Sequence, residues 1–327
     1  MPYDKRIQEH LKSLVRAKKI DQFKTIYKAI EQKDTELARQ YLYGEHDEGR
    51  GLLAWAAMEE GNQNLISYLI KRTGAFVNHQ DGKGRTALLL ANDHGCVDNA
   101  ITLIRNGADT EIADYFGATP LHTAAASNSD NTSKLIELLC TAGANVNAQN
   151  KQGATPLHIA AKHSLEAIHT IIKYRGQHID INKKDNDGDT PLHYAAQSET
   201  GHNSTYLLML GADRTITNND SQTALQVADE WDSEGKDWDA ILEFRGGDPE
   251  IFYKQVLFDS KVVNILEQDV VDLNMLKQLT TNLIPLHHAS DDVIAAIEDA
   301  ISSNDHNFNN DELLGILGQF YTDIDLS

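Results

Sequence analysis

The sequence predicts an all-α solenoid, in which short helix pairs stack between a helical N-terminal cap and a helical C-terminal domain. Three observations support this prediction: an internal repeat, a helix-start motif at the head of each copy, and a glycine after the second helix of most copies. The chain has 327 residues, of which 41% are hydrophobic, so it has enough apolar material for a continuous core.

The repeat is clearest in its first four residues. Thr-Pro-Leu-His begins at Thr119, Thr155 and Thr190, and Ala-Ala follows one residue later each time. The six copies start 35, 33, 36, 35 and 33 residues apart, a period typical of solenoids. The weaker copies begin at Gly51, Thr86 and Thr223.

Each part of the repeat has a physical role. Thr119 is expected to cap a helix, and Pro120 occupies the first helical position, where no backbone donor is needed. The small residues Ala124 and Ala125 let a neighbouring helix approach closely. A second apolar-periodic helix follows, and Gly143 ends it in the left-handed conformation. The polar residues 145–153 then form a turn-rich finger. The glycines expected to end second helices are Gly74, Gly107, Gly143, Gly176 and Gly211.

These residues resemble the ankyrin repeat over about residues 51–228. The resemblance implies helix-turn-helix units with projecting β-hairpin fingers and a concave face that binds proteins. It also implies that His122, His158 and His193 are structural, since the histidine of this motif bonds locally and bridges repeats. Gly51 replaces the capping threonine in the first copy, so we expect its first helix to be less well anchored.

We expect three parts: a helical cap at 1–45, about six repeats at 46–228, and an acidic helical domain at 229–327. The segment Ile284–Ala289 echoes the repeat start out of period, and either a divergent repeat or coincidence explains it. Solenoid ends need covering, so the C-terminal domain is expected to dock on the last repeat. Its predicted helices are Trp238–Phe244, Ile251–Phe258, Val262–Leu266, Leu273–Leu279, Val293–Ile301 and Leu313–Phe320.

Charge narrows the range of partners. The formal net charge is −20, and residues 229–327 hold 22 acidic and 5 basic side chains. Such a surface repels phosphate backbones and anionic membrane surfaces, so nucleic acid is not expected as a partner. Membrane insertion is not expected either, because no apolar run approaches the ~18 residues of a membrane span. The acidic segment is either a solvated face or a docking surface for a basic partner. The two cysteines, Cys96 and Cys140, suit a reducing cytoplasm.

Three clusters invite a catalytic or metal hypothesis. Asp93–Cys96 places a thiol near a base but lies at a helix-pair turn, where these residues are also expected for structural reasons. The run Asp185–Asp189 lacks the Gly and Glu positions of a calcium loop and fits a finger. The pair His287 and His288 is adjacent in sequence, so the two side chains point in different directions. We therefore expect no enzyme activity, cofactor or metal.

A protein partner is expected at the finger tips and on the inner face of the first helices. Tyr115 and Phe116 form an aromatic tip, although one ring can instead pack against the neighbouring finger. Trp55 either contacts the partner or supports the neighbouring helix. The other predicted contacts are His79, Asp81, Lys83 and Arg85 on the preceding finger, and Lys162 and Gln197 on first helices.

The sequence thus predicts a monomeric, cytoplasmic scaffold or adaptor that binds a protein. The alternative is an enzyme or effector in which the repeats recruit a target to a catalytic or signalling C-terminal domain. By analogy with ankyrin proteins exported by intracellular bacteria, such an effector would act in the host cytoplasm.

Overall fold

The computed structural model describes residues 4–44, 49–73, 76–127, 129–174, 179–198 and 201–231, the helix Asn310–Leu317, and isolated helical positions between 249 and 300. The chain divides into two compact units, Met1–Arg245 and Gly246–Ser327. No helix among the described residues is long and apolar enough to cross a membrane.

Three helices precede the repeats: α1 (Lys5–Arg16), α2 (Ile20–Lys33) and α3 (Thr35–Tyr43). Asp4 caps α1 by accepting from the Arg6 amide, and Asp34 caps α3 by accepting from the Leu37 amide at 3.0 Å. Each of these helices buries most of one apolar face. The buried members of these faces are Leu11, Leu14, Val15, Phe23, Tyr27, Leu37, Tyr41 and Leu42.

The repeats form two layers of helices. First helices pack on first helices of the next repeat, and second helices pack on second helices, which confirms an all-α solenoid. The pairs are α4 (Leu52–Ala57) with α5 (Gln63–Thr73), α6 (Ala87–Asp93) with α7 (Val97–Arg105), α8 (Pro120–Ala126) with α9 (Thr132–Thr141), α10 (Pro156–His163) with α11 (Leu165–Lys173), and α12 (Pro191–Ala196) with α13 (His202–Met209), followed by α14 (Ala224–Trp231).

The Thr-Pro-Leu-His motif caps its helix and links two repeats. Nδ1 of His122 accepts from the backbone N–H of Thr119 at 3.2 Å, so the ring proton lies on Nε2. Nε2 then donates to the carbonyl of Ala154 in the next finger, at 3.0 Å. His158 and His193 make the same bonds, to the carbonyls of Asp189 and Gln222. All three histidines therefore act structurally, as the resemblance implied.

This arrangement predicts an acid-sensitive fold. Burial lowers the pKa of His122 and His158 below the value that they have in the unfolded chain, about 6.5. The unfolded chain therefore takes up protons first as pH falls below about 6.5, and the free energy of unfolding decreases. The loss reaches about 1.4 kcal/mol per histidine for each pH unit between the two pKa values. Urea denaturation at pH 8, 7, 6 and 5 measures it.

The sixth repeat offers a control that does not titrate. There Gln226 occupies the histidine position, and its Oε1 accepts from the Thr223 amide at 2.8 Å. The double variant His122→Gln, His158→Gln should therefore keep the cap while its stability changes less between pH 7 and 5. The other twelve histidines contribute equally to the pH dependence of both proteins, because both contain them. An unchanged pH dependence in the double variant would exclude this pair as the cause.

The helix ends follow the predicted residue types. Gly107, Gly143 and Gly211 end second helices with φ of 90°, 93° and 94°, as predicted. Gly74 and Gly176 lie outside the described residues. Gly51 precedes α4, and a Cβ there would overlap the carbonyl oxygen of Leu42. A capping threonine therefore cannot replace Gly51 without moving the chain.

In the second compact unit, the helix Asn310–Leu317 overlaps the predicted Leu313–Phe320, and Leu313 and Leu317 are fully buried. Val262 and Val293 are helical and buried as well. Three predicted segments, Trp238–Phe244, Leu273–Leu279 and Ile284–Ala289, lie outside the described residues.

Candidate functional site

Among the residues that the structure describes, five fingers end in turns with the same hydrogen-bond pattern. In the first, the Asp81 amide donates to the Arg85 carbonyl at 2.9 Å, and Gly84 closes the turn by donating to the Asp81 carbonyl at 2.8 Å. Oδ1 of Asp81 accepts from the amides of Lys83 and Arg85, each at 2.9 Å. The turns that begin at Asp114, Asn150, Asp185 and Asn218 repeat this pattern.

The fingers were expected to be β-hairpins, but in the structure they consist of these turns. Among the described residues, strand pairing is limited to one antiparallel bridge, Thr217–Thr223. The side-chain oxygen of the first turn residue takes up amide hydrogens that would otherwise need partners across a hairpin. A short Asp or Asn at that position therefore folds each finger locally.

Backbone hydrogen bonds join each finger tip to the next. The Tyr115 amide donates to the Lys83 carbonyl at 3.0 Å, and the Lys151 amide donates to the Phe116 carbonyl at 2.9 Å. The tips at 186 and 219 bond in the same way to those before them. We call this row the finger-tip ridge; it consists of Gly82–Lys83, Tyr115–Phe116, Lys151–Gln152, Asn186–Asp187 and Asn219–Asp220.

The predicted aromatic tip lies on this ridge. Tyr115 is 59% exposed and Phe116 is 74% exposed. The Tyr115 ring lies over Gly84 of the preceding finger, where an added Cβ would be 2.5 Å from its Cδ1. Tyr115 therefore packs partly on its neighbour, whereas the Phe116 ring projects into solvent. Lys83 and Lys151 are exposed on the two flanking tips.

Asp81 and Arg85 maintain the shape of the first finger. Asp81 is 4% exposed, and Oδ2 accepts from Nε and the terminal nitrogen of Arg85 at 3.1 and 2.9 Å. Nε of Arg50 lies 3.6 Å from the same oxygen. Burial raises the pKa of Asp81, but hydrogen bonds from Arg85 and Lys83 outweigh burial and leave the pKa lowered. The Asp81 side chain is therefore not accessible to a partner, and Arg85 supports the finger through its bonds with Asp81.

His79 and Phe76 lie beside the N-terminal helices. Nε2 of His79 is 3.0 Å from the Gly49 carbonyl oxygen, and its ring centroid is 5.2 Å from that of Tyr43. Phe76 stacks on Tyr43 at 5.9 Å, yet it is 70% exposed. Sequence reasoning missed Phe76. Aligning the copies at their Gly-Ala pairs would have found it, because Asp or Asn stands at that position in the copies with Asp109, Asn145 and Asp213.

Trp55 joins the first repeat to α1. The cationic groups of Lys12, Arg16 and Arg50 lie 4.8, 5.0 and 5.2 Å from the centre of its indole ring. Cations over an indole face are attracted by the ring quadrupole. The side chain is half-buried, and α1 packs on α4. These contacts favour the supporting role for Trp55 over the role of partner contact.

Lys162 and Gln197 lie at the ends of first helices in consecutive repeats. Nζ of Lys162 donates to Oε1 of Gln197 at 3.2 Å, and this contact is exposed. Lys162 is exposed, and Gln197 is half-buried.

Neither cysteine is poised for nucleophilic chemistry. Burial raises the pKa of Cys96 to about 11, with a further rise from Glu60 and Glu59. Burial also raises the pKa of Cys140 to about 11. Both thiols are therefore protonated at neutral pH. Asp185 belongs to a finger turn, and His287 and His288 lie outside the described residues. Within the described ranges, no group of three or more His, Cys, Asp or Glu side chains is placed to hold a metal ion.

Stacked helix pairs with linked, exposed turns define a helical repeat protein, a class that presents an extended surface. The family model for ankyrin repeats matches in three copies, over residues 26–114, 101–185 and 121–220. The chain belongs to the ankyrin-repeat family, whose repeats typically mediate protein–protein interaction without catalysis. The first match begins at residue 26, within the segment expected to be the N-terminal cap.

The chain is similar to the neurogenic locus notch homolog protein 1 of Xenopus laevis and of Xenopus tropicalis. Each match is 31% identical over 170 residues, 52% of this chain and only 7% of the relative. It is also similar to a chain from the solved complex of a predatory endopeptidase of Bdellovibrio bacteriovorus with its immunity protein. That match has 28% identity and a TM-score of 0.51, and it covers 59% of this chain and 97% of the other.

Proposed function

We propose that this protein is a non-catalytic adaptor that binds a protein partner through the finger-tip ridge, with Tyr115 and Phe116 at the centre of the contact. The single observation that carries the proposal is the exposure of two adjacent aromatic rings, 59% and 74%, on a tip held by backbone bonds on both sides. Tyrosine is among the side chains most enriched in residues that dominate binding energy, and phenylalanine is enriched in interface cores.

The remaining features fit this function. A tip that is already ordered loses little conformational entropy when it binds. The net charge of −20 disfavours nucleic acid as the partner. Two free, buried cysteines suit a reducing compartment, so we place the adaptor in a cytoplasm. The acidic segment 229–327 is the second candidate for the binding site, since its charge suits a basic partner.

The test begins with affinity capture using the full chain, followed by affinity measurements on the captured partner. We expect the double variant Tyr115→Ala, Phe116→Ala to weaken binding roughly thirtyfold, the equivalent of about 2 kcal/mol. Its melting temperature should stay within about 2 °C of the wild type, because both rings are mainly exposed and the backbone bonds remain.

Phe76→Ala is the matched control, since it removes an equally exposed aromatic ring away from the finger-tip ridge. We expect it to bind the partner normally. Wild-type affinity in the double variant would overturn the finger-tip site. A steep loss of that affinity with rising salt would then point to the acidic segment.

A further inference from the structure

The finger-tip ridge carries its side chains in a definite order of charge. Lys83 and Lys151 stand on either side of the aromatic tip, and Asp187 and Asp220 stand on the last two tips. All four side chains are exposed. Among the described residues, none of the four takes part in an ion pair. The ridge is therefore basic and aromatic at one end and acidic at the other.

Folding does not require this order. The turns need Asp or Asn at their first position, and the tips are joined by backbone bonds and by the side-chain amides of Asn186 and Asn219. In the described part of the chain, the side chains of Lys83, Lys151, Asp187 and Asp220 make none of these bonds. The inter-tip hydrogen bonds at 82–83, 115–116, 151–152, 186–187 and 219–220 hold these positions in one row. A fixed row of charges is suited to setting the orientation and register of a bound chain.

We propose that the finger-tip ridge binds an extended segment of the partner protein in one direction. An apolar side chain of that segment, bracketed by carboxylates, contacts Phe116 and Tyr115 between Lys83 and Lys151. Basic residues further along the same segment face Asp187 and Asp220. This inference rests on the proposed function, and it adds the chemistry and the polarity of the partner segment.

The test uses a phage-displayed library of random 12-residue peptides, selected on the immobilised full chain. We expect enriched peptides to carry an apolar residue between acidic residues at one end and basic residues at the other. A synthetic copy of the best peptide should bind at least tenfold more tightly than the same peptide with its two ends exchanged. Equal binding of the two orders, or no enrichment, would overturn the inference.

Two charge-reversal variants sharpen the test. The double variant Lys83→Glu, Lys151→Glu should bind the selected peptide at least tenfold more weakly than the wild type does. Lys28→Glu, Lys71→Glu changes the net charge equally at exposed positions of α2 and α5, and it should change affinity less than twofold. An effect of the second variant equal to that of the first would mean that only total charge matters, and would contradict the proposal.

The outcomes for the two proposals differ. If the selected peptide loses affinity for the Tyr115→Ala, Phe116→Ala variant but keeps it for the Lys83→Glu, Lys151→Glu variant, the finger-tip site is supported and the charge order is overturned. A peptide that binds the Tyr115→Ala, Phe116→Ala variant with wild-type affinity overturns the finger-tip site itself.

Discussion

Asp81→Ala is expected to lower the free energy of unfolding by about 3 kcal/mol, because it removes a buried carboxylate from the first finger. Asp81 is 4% exposed, and its two carboxylate oxygens accept four hydrogen bonds. The alanine variant leaves two backbone donors unpaired and removes the counter-charge of Arg85, with Arg50 close by. Urea denaturation measures the change.

Asp81→Asn separates the turn from the ion pair. Asn150 and Asn218 hold the same turn in their own fingers, so an asparagine at 81 keeps the two backbone bonds. It loses the charge that faces Arg85 and Arg50, and we expect a cost of about 1 kcal/mol.

Asp114→Asn is the matched control for this series. Asp114 holds the same two amide bonds, whereas Asp81 has the arginine contacts in addition. The control should change stability by less than about 0.5 kcal/mol. If Asp81→Ala also costs less than that, the buried carboxylate does not stabilise the first finger.

Gly153→Ala is expected to cost about 3 kcal/mol. Its φ of 80° is unfavourable for a residue with a side chain, and a Cβ there would lie 2.5 Å from Oδ1 and 2.7 Å from the backbone nitrogen of Asn186. That nitrogen donates to the Gln152 carbonyl, so relief of the clash would lengthen the bond between two fingers.

Gly143→Ala supplies the control for the backbone conformation alone. Its φ is 93°, and an added Cβ would meet no atom within 4 Å. We expect a cost of about 1 kcal/mol, the strain of the left-handed conformation. The difference in the free energy of unfolding between the two alanine variants, measured by urea denaturation, gives the cost of disturbing the close contact between fingers. Equal costs would show that the fingers separate without loss of stability.

The local parts of the fold could be predicted from sequence because the interactions behind them span few residues. The Thr119–His122 cap and the left-handed Gly143 each act within three or four positions, and the repeat multiplies the same evidence. The second unit was harder to predict, since its sequence lacks that period.

The aromatic tip was predictable for a related reason. Tyr115 and Phe116 break a pattern that polar turn residues follow in the other copies, so comparison within one sequence is enough to find them. Phe76 breaks the pattern in the same way, and the same comparison would have found it.

The sequence by itself determined the helix pairs, their caps, the family and the unusual aromatic tip. Only the tertiary structure decided which polar side chains are accessible. Arg50 lies close to Asp81 of the first finger, and the side-chain amide of Asn99 donates to the carbonyls of Ala57 and Glu59 about 40 positions earlier. The stacking of one repeat on the next brings these groups together. Their spacing therefore depends on how whole helices pack, which no short stretch of sequence encodes.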